Sequence, residues 1–138
     1  MALPANLPDF SNIAFGTHYR VTGLGRSVLL IHDRGRDLSM WEPLLPHVAP
    51  NLRVVSYDLL GHGRSAKPVG DLGWREWQEQ LRMLRDYLKI EDAALVGVGL
   101  GAELARSFAD DWAAADRHLS DYLEKFLAEP AFQATRAA

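Results

Sequence analysis

The chain lacks cysteine altogether, so disulfide bonds, thiolate metal sites and cysteine nucleophiles are excluded. It also has no apolar run near the roughly 20 residues that a membrane-spanning helix needs. The formal net charge is only −3 and the basic residues are dispersed, so the sequence predicts neither a nucleic-acid nor a membrane partner. The opening stretch, MALPANLPDF, does not have the basic and then apolar layout of a signal peptide, and we expect a cytoplasmic protein.

The chain of 138 residues is long enough for one domain with a single hydrophobic core. Its histidines do not cluster at metal-ligand spacing, and His18 and His47, for example, fall on separate predicted elements. We therefore expect no bound metal and no cofactor.

Three short apolar runs indicate strands that are buried on both faces of a sheet. These runs are residues 28–32, 52–60 and 93–99. Apolar residues at helical spacing follow each run and predict amphipathic helices. The predicted helices are 41–48, 74–88 and 102–127. Ser39 is the predicted N-cap of the first of these helices. A looser alternation at 12–22 predicts a strand or hairpin.

This alternation of strands and helices predicts an α/β fold of three layers, in which helices cover both faces of a mostly parallel sheet. Ligand sites in such sheets lie beyond the carboxyl ends of the strands. Three loops reach that edge, namely HDRGRD at 32–37, DLLGHGRS at 58–65 and GVGLGA at 97–102. We expect any functional residues to lie in these loops.

The three loops, in this order and spacing, resemble the N-terminal half of an α/β-hydrolase, especially the bacterial ester and enol-lactone hydrolases. The residues that carry the resemblance are His32, Asp58-Leu-Leu-Gly61-His-Gly63-Arg-Ser65 and Gly97-Val-Gly99-Leu-Gly101. The resemblance covers residues 12–109, and residues 110–138 are expected to form a helical tail outside it. It implies one partial domain, truncated after the helix that follows the third loop.

In that family the third loop is a G-x-S-x-G nucleophile elbow, whose sharp turn exposes a serine hydroxyl at the N-terminus of a helix. This chain keeps Gly97 and Gly101 but has Gly99 at the serine position. Glycine has no hydroxyl, so an acyl-enzyme cannot form there. Ser107 lies about two helical turns further along and is not a ready substitute.

The first loop also departs from the family pattern, in which His-Gly follows the strand and a backbone N–H helps to form the oxyanion hole. Here the pair is His32-Asp33. These two residues and Leu100, which follows the tip of the elbow, stand at the positions of the family's oxyanion loops. The carboxylate of Asp33 is expected to repel a developing oxyanion. The family's triad acid and histidine come from later strands, and we expect the chain to end before them. His118 follows the elbow, but its helical pattern predicts a surface residue.

The second loop is intact. The resemblance assigns Asp58, Gly61, Gly63 and Ser65 to a structural loop that supports the sheet, with turn hydrogen bonds made by Asp58 and Ser65. A catalytic base at His62 is the less favoured interpretation, because no nucleophile is evident near it.

Two other resemblances concern the first and third loops. HD-x-G together with GVG-x-GA is similar to the N-myc downstream-regulated family, α/β-hydrolase-like proteins regarded as non-enzymatic, and supports a pseudo-hydrolase. The glycines also fit G-x-G-x-x-A, a dinucleotide-binding pattern, so nucleotide or anion binding at Gly97–Ala102 stays an alternative. Against it, the motif follows the third central strand, and the stretch about 20 residues on is helical rather than the end of a strand.

The sequence therefore predicts a catalytically inactive or incomplete α/β-hydrolase-fold protein that acts by binding or assembly. A serine-type carboxylic ester or lactone hydrolase lineage is the alternative. Without later strands, strand 93–99 becomes an apolar sheet edge that invites pairing with another chain. We expect a homodimer or a partner chain at this edge, unless the helix at 102–127 covers it.

Overall fold

The computed structural model describes residues 3, 6–49, 51–108 and 135–137. The strands in these ranges are β1 (Asp9–Ala14), β2 (Thr17–Thr22), β3 (Arg26–Ile31), β4 (Leu52–Tyr57), β5 (Ala93–Gly97) and β6 (Thr135–Ala137). The helices in these ranges are a 3-10 helix (Leu38–Trp41), α1 (Leu45–Val48), α2 (Trp74–Tyr87) and α3 (Leu100–Phe108).

The described strands form one mixed sheet in the order β1-β2-β4-β3-β5-β6. The central strand β3 pairs in parallel with both β4 and β5, whereas the pairings toward the two margins are antiparallel. In register, Ile31 of β3 lies beside Tyr57 of β4 and Gly97 of β5. The carboxyl ends of the three parallel strands therefore meet at one edge, where the three loops of the sequence motif lie.

Apolar side chains of β3 alternate between the two faces of the sheet, so each face carries its own core. On one face, Leu29 and Ile31 pack with residues of α2 and α3, such as Leu81 and Leu104. On the other face, Val28 and Leu30 pack with Trp41 and the residues of α1. The two cores make the three layers that the sequence predicts.

The segment after β3 begins as a 3-10 helix rather than as the single predicted helix. Asp37, not Ser39, is its N-cap, because the side chain of Asp37 accepts the backbone N–H of Ser39 at 2.9 Å. The prediction of Ser39 as N-cap is therefore wrong. The predicted apolar stripe is nevertheless buried, since Trp41 and Val48 are both fully shielded from solvent.

Helix α2 follows its amphipathic pattern closely. Its start is held by Glu76, whose carboxylate accepts the backbone N–H of Gly73 at 3.1 Å. Trp77, Leu81 and Leu84 face the core, as the spacing predicts. Trp74, the first residue, is 38% exposed and does not belong to the core.

The helix after the third loop begins two residues earlier than predicted. In the structure α3 starts at Leu100, directly after Gly99, and is described as far as Phe108. The remainder of the predicted helix at 102–127, including His118, lies outside the described residues, as does most of the 110–138 tail.

The expectation that strand 93–99 forms an open sheet edge is wrong for part of its length. Residues Leu95–Gly97 pair in antiparallel register with Thr135–Ala137 of β6. This pairing has little signal in the sequence, because Thr-Arg-Ala is too short to show an alternating pattern. A second chain that pairs with Leu95–Gly97 would have to displace β6.

Leu29 lies at the middle of the central strand and is fully buried. We expect Leu29→Ala to lower the free energy of unfolding by about 2–5 kcal/mol, because it removes apolar contacts and leaves a cavity. Urea denaturation followed by circular dichroism measures this loss. Leu24→Ala is the matched control, since Leu24 is 65% exposed and its loss should cost less than about 0.5 kcal/mol. Equal losses in the two variants would contradict this placement of the core.

Because β6 takes the hydrogen-bonding edge of Leu95–Gly97, we expect a monomer when size-exclusion chromatography is coupled to light scattering. A chain that ends at residue 134 lacks β6 and should form dimers or larger species at the same concentration. A dimer of the full chain would instead support the predicted partner at strand 93–99.

Candidate functional site

The three loops that follow β3, β4 and β5 meet at the carboxyl edge of the sheet. His32 directly follows β3 and is completely buried between the first and second loops. Its Nδ1 donates to the backbone oxygen of Asp33 at 2.7 Å, and its Nε2 accepts the backbone N–H of Leu59 at 2.9 Å. This pair of contacts requires a neutral ring that carries its proton on Nδ1. Burial is the main cause that lowers the pKa of His32 below its ordinary value.

The half-buried carboxylate of Asp33 connects the first loop to the third. Its Oδ1 accepts the backbone N–H of Arg34 at 2.7 Å and the backbone N–H of Leu100 at 3.0 Å. Leu100 is the first residue of α3, so the negative charge lies at the positive end of that helix. The sequence identified Asp33 and Leu100 but missed Arg34, whose contribution is a backbone N–H that leaves no trace in residue type.

Gly99 sits at the tip of the third loop with a φ of 56°, in the left-handed region. A Cβ added to Gly99 would overlap the side-chain carboxylate of Asp33. The space in front of the elbow is therefore filled from the first loop and not by a side chain of the elbow itself.

The two other elbow glycines allow β5 and α3 to approach each other and β3. A Cβ on Gly97 would overlap the backbone of Gly101, and a Cβ on Gly101 would overlap the backbone oxygen of Ile31. The N–H of Gly101 also has an acceptor already, the backbone oxygen of Val98 at 2.9 Å. Among the N–H groups of this turn, those of Leu100 and Gly101 are thus both occupied within the chain.

Asp58 follows β4 and is a buried centre of hydrogen bonds. Its carboxylate accepts the backbone N–H of Leu38 at 2.8 Å and that of Arg64 at 2.9 Å. It also contacts Nδ1 of His18 at 2.7 Å. Three separate segments of the chain therefore depend on one carboxylate.

Ser65 and the glycines of the second loop lie around Asp58. The Ser65 hydroxyl donates to the backbone oxygen of Asp58 at 2.5 Å and accepts the backbone N–H of His18 at 2.9 Å. The backbone N–H of Gly61 closes the loop onto Ala66 at 2.8 Å. Gly63 packs directly on the Asp58 carboxylate, where a Cβ would overlap it.

An aromatic and basic cluster lies beside these loops and was not predicted from the sequence. The His62 ring is 5.2 Å from the His32 ring and 6.4 Å from Trp77, between centroids. The guanidinium of Arg34 lies 5.4 Å from the centroid of the Trp77 ring, a cation–π contact. Both Nδ1 of His62 and Nε1 of Trp77 donate to the backbone oxygen of Leu60.

Leu60 also lines a groove of about 280 Å³ between the β1–β2 turn and α2. The groove has an apolar wall formed by Phe15, Leu60 and Met83, and its other lining residues are polar or charged, namely Thr17, Arg75, Glu76, Glu79 and Gln80. It extends the surface available at the carboxyl edge of the sheet.

No group of three or more His, Asp or Glu side chains that could hold a metal ion occurs in the described part of the chain. Within the same ranges, no helix has the length and apolar character needed to cross a membrane.

The sequence profile of the family described as "Alpha/beta hydrolase family" matches residues 28–137, which is most of the chain. The chain belongs to the α/β-hydrolase family. The predicted family and fold class are thereby confirmed, whereas the likeness to the N-myc downstream-regulated family remains a prediction.

Two curated relatives illustrate the range of the α/β-hydrolase family that this chain resembles. A 2-hydroxymuconate semialdehyde hydrolase from a Pseudomonas species is 32% identical over 79% of this chain and 41% of its own length. A haloalkane dehalogenase from Mesorhizobium japonicum is 36% identical over 59% of this chain and 26% of its own length. The chain thus spans between about a quarter and two fifths of these relatives.

Solved α/β-hydrolase structures superpose on the same part of the chain. A loop variant of a haloalkane dehalogenase from Bradyrhizobium elkanii has a TM-score of 0.72 and 29% identity, and covers 82% of this chain and 39% of its own. An enol-lactonase from Burkholderia xenovorans has a TM-score of 0.65 and 30% identity, and covers 72% of this chain and 40% of its own.

The buried, neutral His32 leads us to predict that the free energy of unfolding depends on pH. Because its pKa is lowered in the folded state, the unfolded chain binds more protons below the ordinary value of 6.5. The free energy of unfolding should therefore increase as the pH rises to about 6.5. This contribution should be lost again as the pH falls below that value. The limiting slope is about 1.4 kcal/mol per pH unit for one proton.

His32→Gln keeps an acceptor for Leu59 but cannot titrate, so it should flatten this slope between about pH 5 and 6.5 in urea melts. A His32→Gln slope as steep as the parent's would show that burial of His32 does not set the pH dependence.

Proposed function

We propose that the described domain is an α/β-hydrolase fold without serine-type catalysis, which acts by binding at the carboxyl edge of its sheet. The observation that carries this proposal is Gly99, which leaves the tip of the elbow without a side chain. No hydroxyl can therefore attack an acyl carbon from this position.

The position of Asp33 supports the same conclusion. In this family the oxyanion hole combines the N–H of the residue after the nucleophile with an N–H of the loop after the third strand. Here the N–H of Leu100 after the elbow and the N–H of Arg34 in the first loop both already point at Oδ1 of Asp33. A substrate oxygen would have to replace a negatively charged group of the protein itself.

Two serines of the chain could be considered as replacements for the missing nucleophile, but the hydroxyls of both form hydrogen bonds within the protein. Ser65 is buried against Asp58 and the backbone of His18. The Ser107 hydroxyl donates to the backbone oxygen of Leu104 at 2.7 Å, within α3. Neither hydroxyl provides a substitute for the elbow nucleophile.

Support for a binding role comes from the surface beside the elbow. The exposed Arg34 guanidinium lies over the ring of Trp77, which is itself buried in the core, and the half-buried His62 ring lies beside that ring. The adjoining groove, about 280 Å³ in volume, offers apolar surface lined by Phe15 and Met83. Pockets that combine apolar walls with a few polar groups are typical of small-molecule sites.

A serine-type ester or lactone hydrolase lineage remains the alternative, because the hydrolase and the enol-lactonase described above share this fold. It would require catalytic groups beyond those that the structure describes. Nucleotide or anion binding at Gly97–Ala102 has less support, because the N–H groups of Leu100 and Gly101 would have to leave their present acceptors.

We expect the purified chain to hydrolyse p-nitrophenyl acetate, p-nitrophenyl butyrate and a simple lactone no faster than a heat-denatured sample. A fluorophosphonate probe should also leave it unlabelled, since no activated serine is present at the elbow. Spectrophotometric release of p-nitrophenol and in-gel fluorescence measure the two outcomes.

A serine hydrolase of the same family, treated in parallel, controls for the substrates and the probe. The proposal would be overturned in favour of the hydrolase alternative if turnover co-purifies with the chain and is abolished when the fluorophosphonate probe labels it.

A further inference from the structure

The carboxylate of Asp33 occupies two positions at once. It accepts the N–H of Leu100, where the family holds a substrate oxygen, and it fills the volume into which a Cβ at residue 99 would project. Both follow from the position of one atom, because Oδ1 of Asp33 accepts the Leu100 N–H and is also the atom nearest to an added Cβ at residue 99. Both place Asp33 against the elbow.

We infer that Asp33 and Gly99 form a matched pair, in which the Asp33 carboxylate closes the elbow and thereby restricts residue 99 to glycine. This inference deepens the proposed function, because it adds that replacement of Gly99 alone cannot restore an open serine site. The restriction comes from side-chain volume at residue 33, which stays in place only because Oδ1 is held by the N–H groups of Arg34 and Leu100. Removing that volume should therefore make a side chain at residue 99 acceptable.

Backbone conformation is the competing cause. Gly99 has a φ of 56°, and any L-residue carries some strain in that region. Gly35 separates the two causes, because it has a φ of 78° but no heavy atom within 4 Å of an added Cβ. Gly35→Ser therefore measures the cost of backbone strain without the overlap.

The experiment is a double-mutant cycle on melting temperature with Gly99→Ser, Asp33→Gly and the combined variant. We expect Gly99→Ser alone to lower the melting temperature by about 5 °C or more, and clearly more than Gly35→Ser does. In the Asp33→Gly background the same serine should lower it by less than half as much. Asp33→Asn preserves the side-chain volume, so Gly99→Ser should stay as damaging in that background.

Gly99→Ala tests the same overlap with the smallest side chain, in case Gly99→Ser does not fold. A second readout is the ¹⁵N–¹H spectrum of Asp33→Gly by itself. The amide signals of Arg34 and Leu100 should move, because each loses a charged acceptor, whereas that of Gly101 should move less.

An equal loss from Gly99→Ser in the parent chain and in the Asp33→Gly background would overturn the inference, and so would relief by Asp33→Asn as large as that by Asp33→Gly. Unmoved amides of Arg34 and Leu100 would overturn it as well. These readouts are stability and amide position, so ester turnover by the parent chain would contradict the proposed function without deciding this inference.

Discussion

The contact between the Asp33 carboxylate and the start of α3 is the interaction on which the candidate site depends. A helix N-terminus presents N–H groups without partners inside the helix, and a negative charge placed there is stabilised. In this chain the charge is covalently part of the neighbouring loop, at 3.0 Å from the Leu100 nitrogen. It stabilises the elbow and occupies it at the same time. The first loop and the start of α3 are thereby held together at the position where the α/β-hydrolase fold otherwise receives a substrate.

Asp58 gives the same edge of the sheet its rigidity. Its carboxylate holds the start of the 3-10 helix through Leu38, the second loop through Arg64 and strand β2 through His18. Buried carboxylates are costly unless their oxygens are fully hydrogen-bonded, and these contacts satisfy that requirement. The first and second loops are therefore fixed relative to each other before any ligand is considered, which suits a preorganised binding surface.

Much of this fold could be predicted from residue patterns, because burial leaves a periodic record. The run Val28–His32 predicts β3, and the spacing of Trp77, Leu81 and Leu84 predicts α2. The N-cap of the 3-10 helix has no such periodic signal. Asp and Ser are both favoured N-cap residues, so residue type alone does not distinguish Asp37 from Ser39. The family motif located the elbow.

Contacts made by backbone groups or across long separations escaped prediction. The N–H of Arg34 has no sequence signature, and the stacking of Arg34 on Trp77 joins residues that no local pattern connects. Strand β6 escaped for a different reason, since three residues are too few to show a period. Residue patterns therefore locate the site in the fold but do not determine the hydrogen bonds and ring contacts within it.

The overlap between the Asp33 carboxylate and a Cβ at residue 99 also has a consequence for substitutions at these two positions. If a lineage carries both residues, a single substitution toward serine at residue 99 meets the carboxylate, and a single loss of the carboxylate leaves an elbow with no nucleophile. Under the inferred pairing, both residues would have to change before a serine side chain could stand in an open elbow.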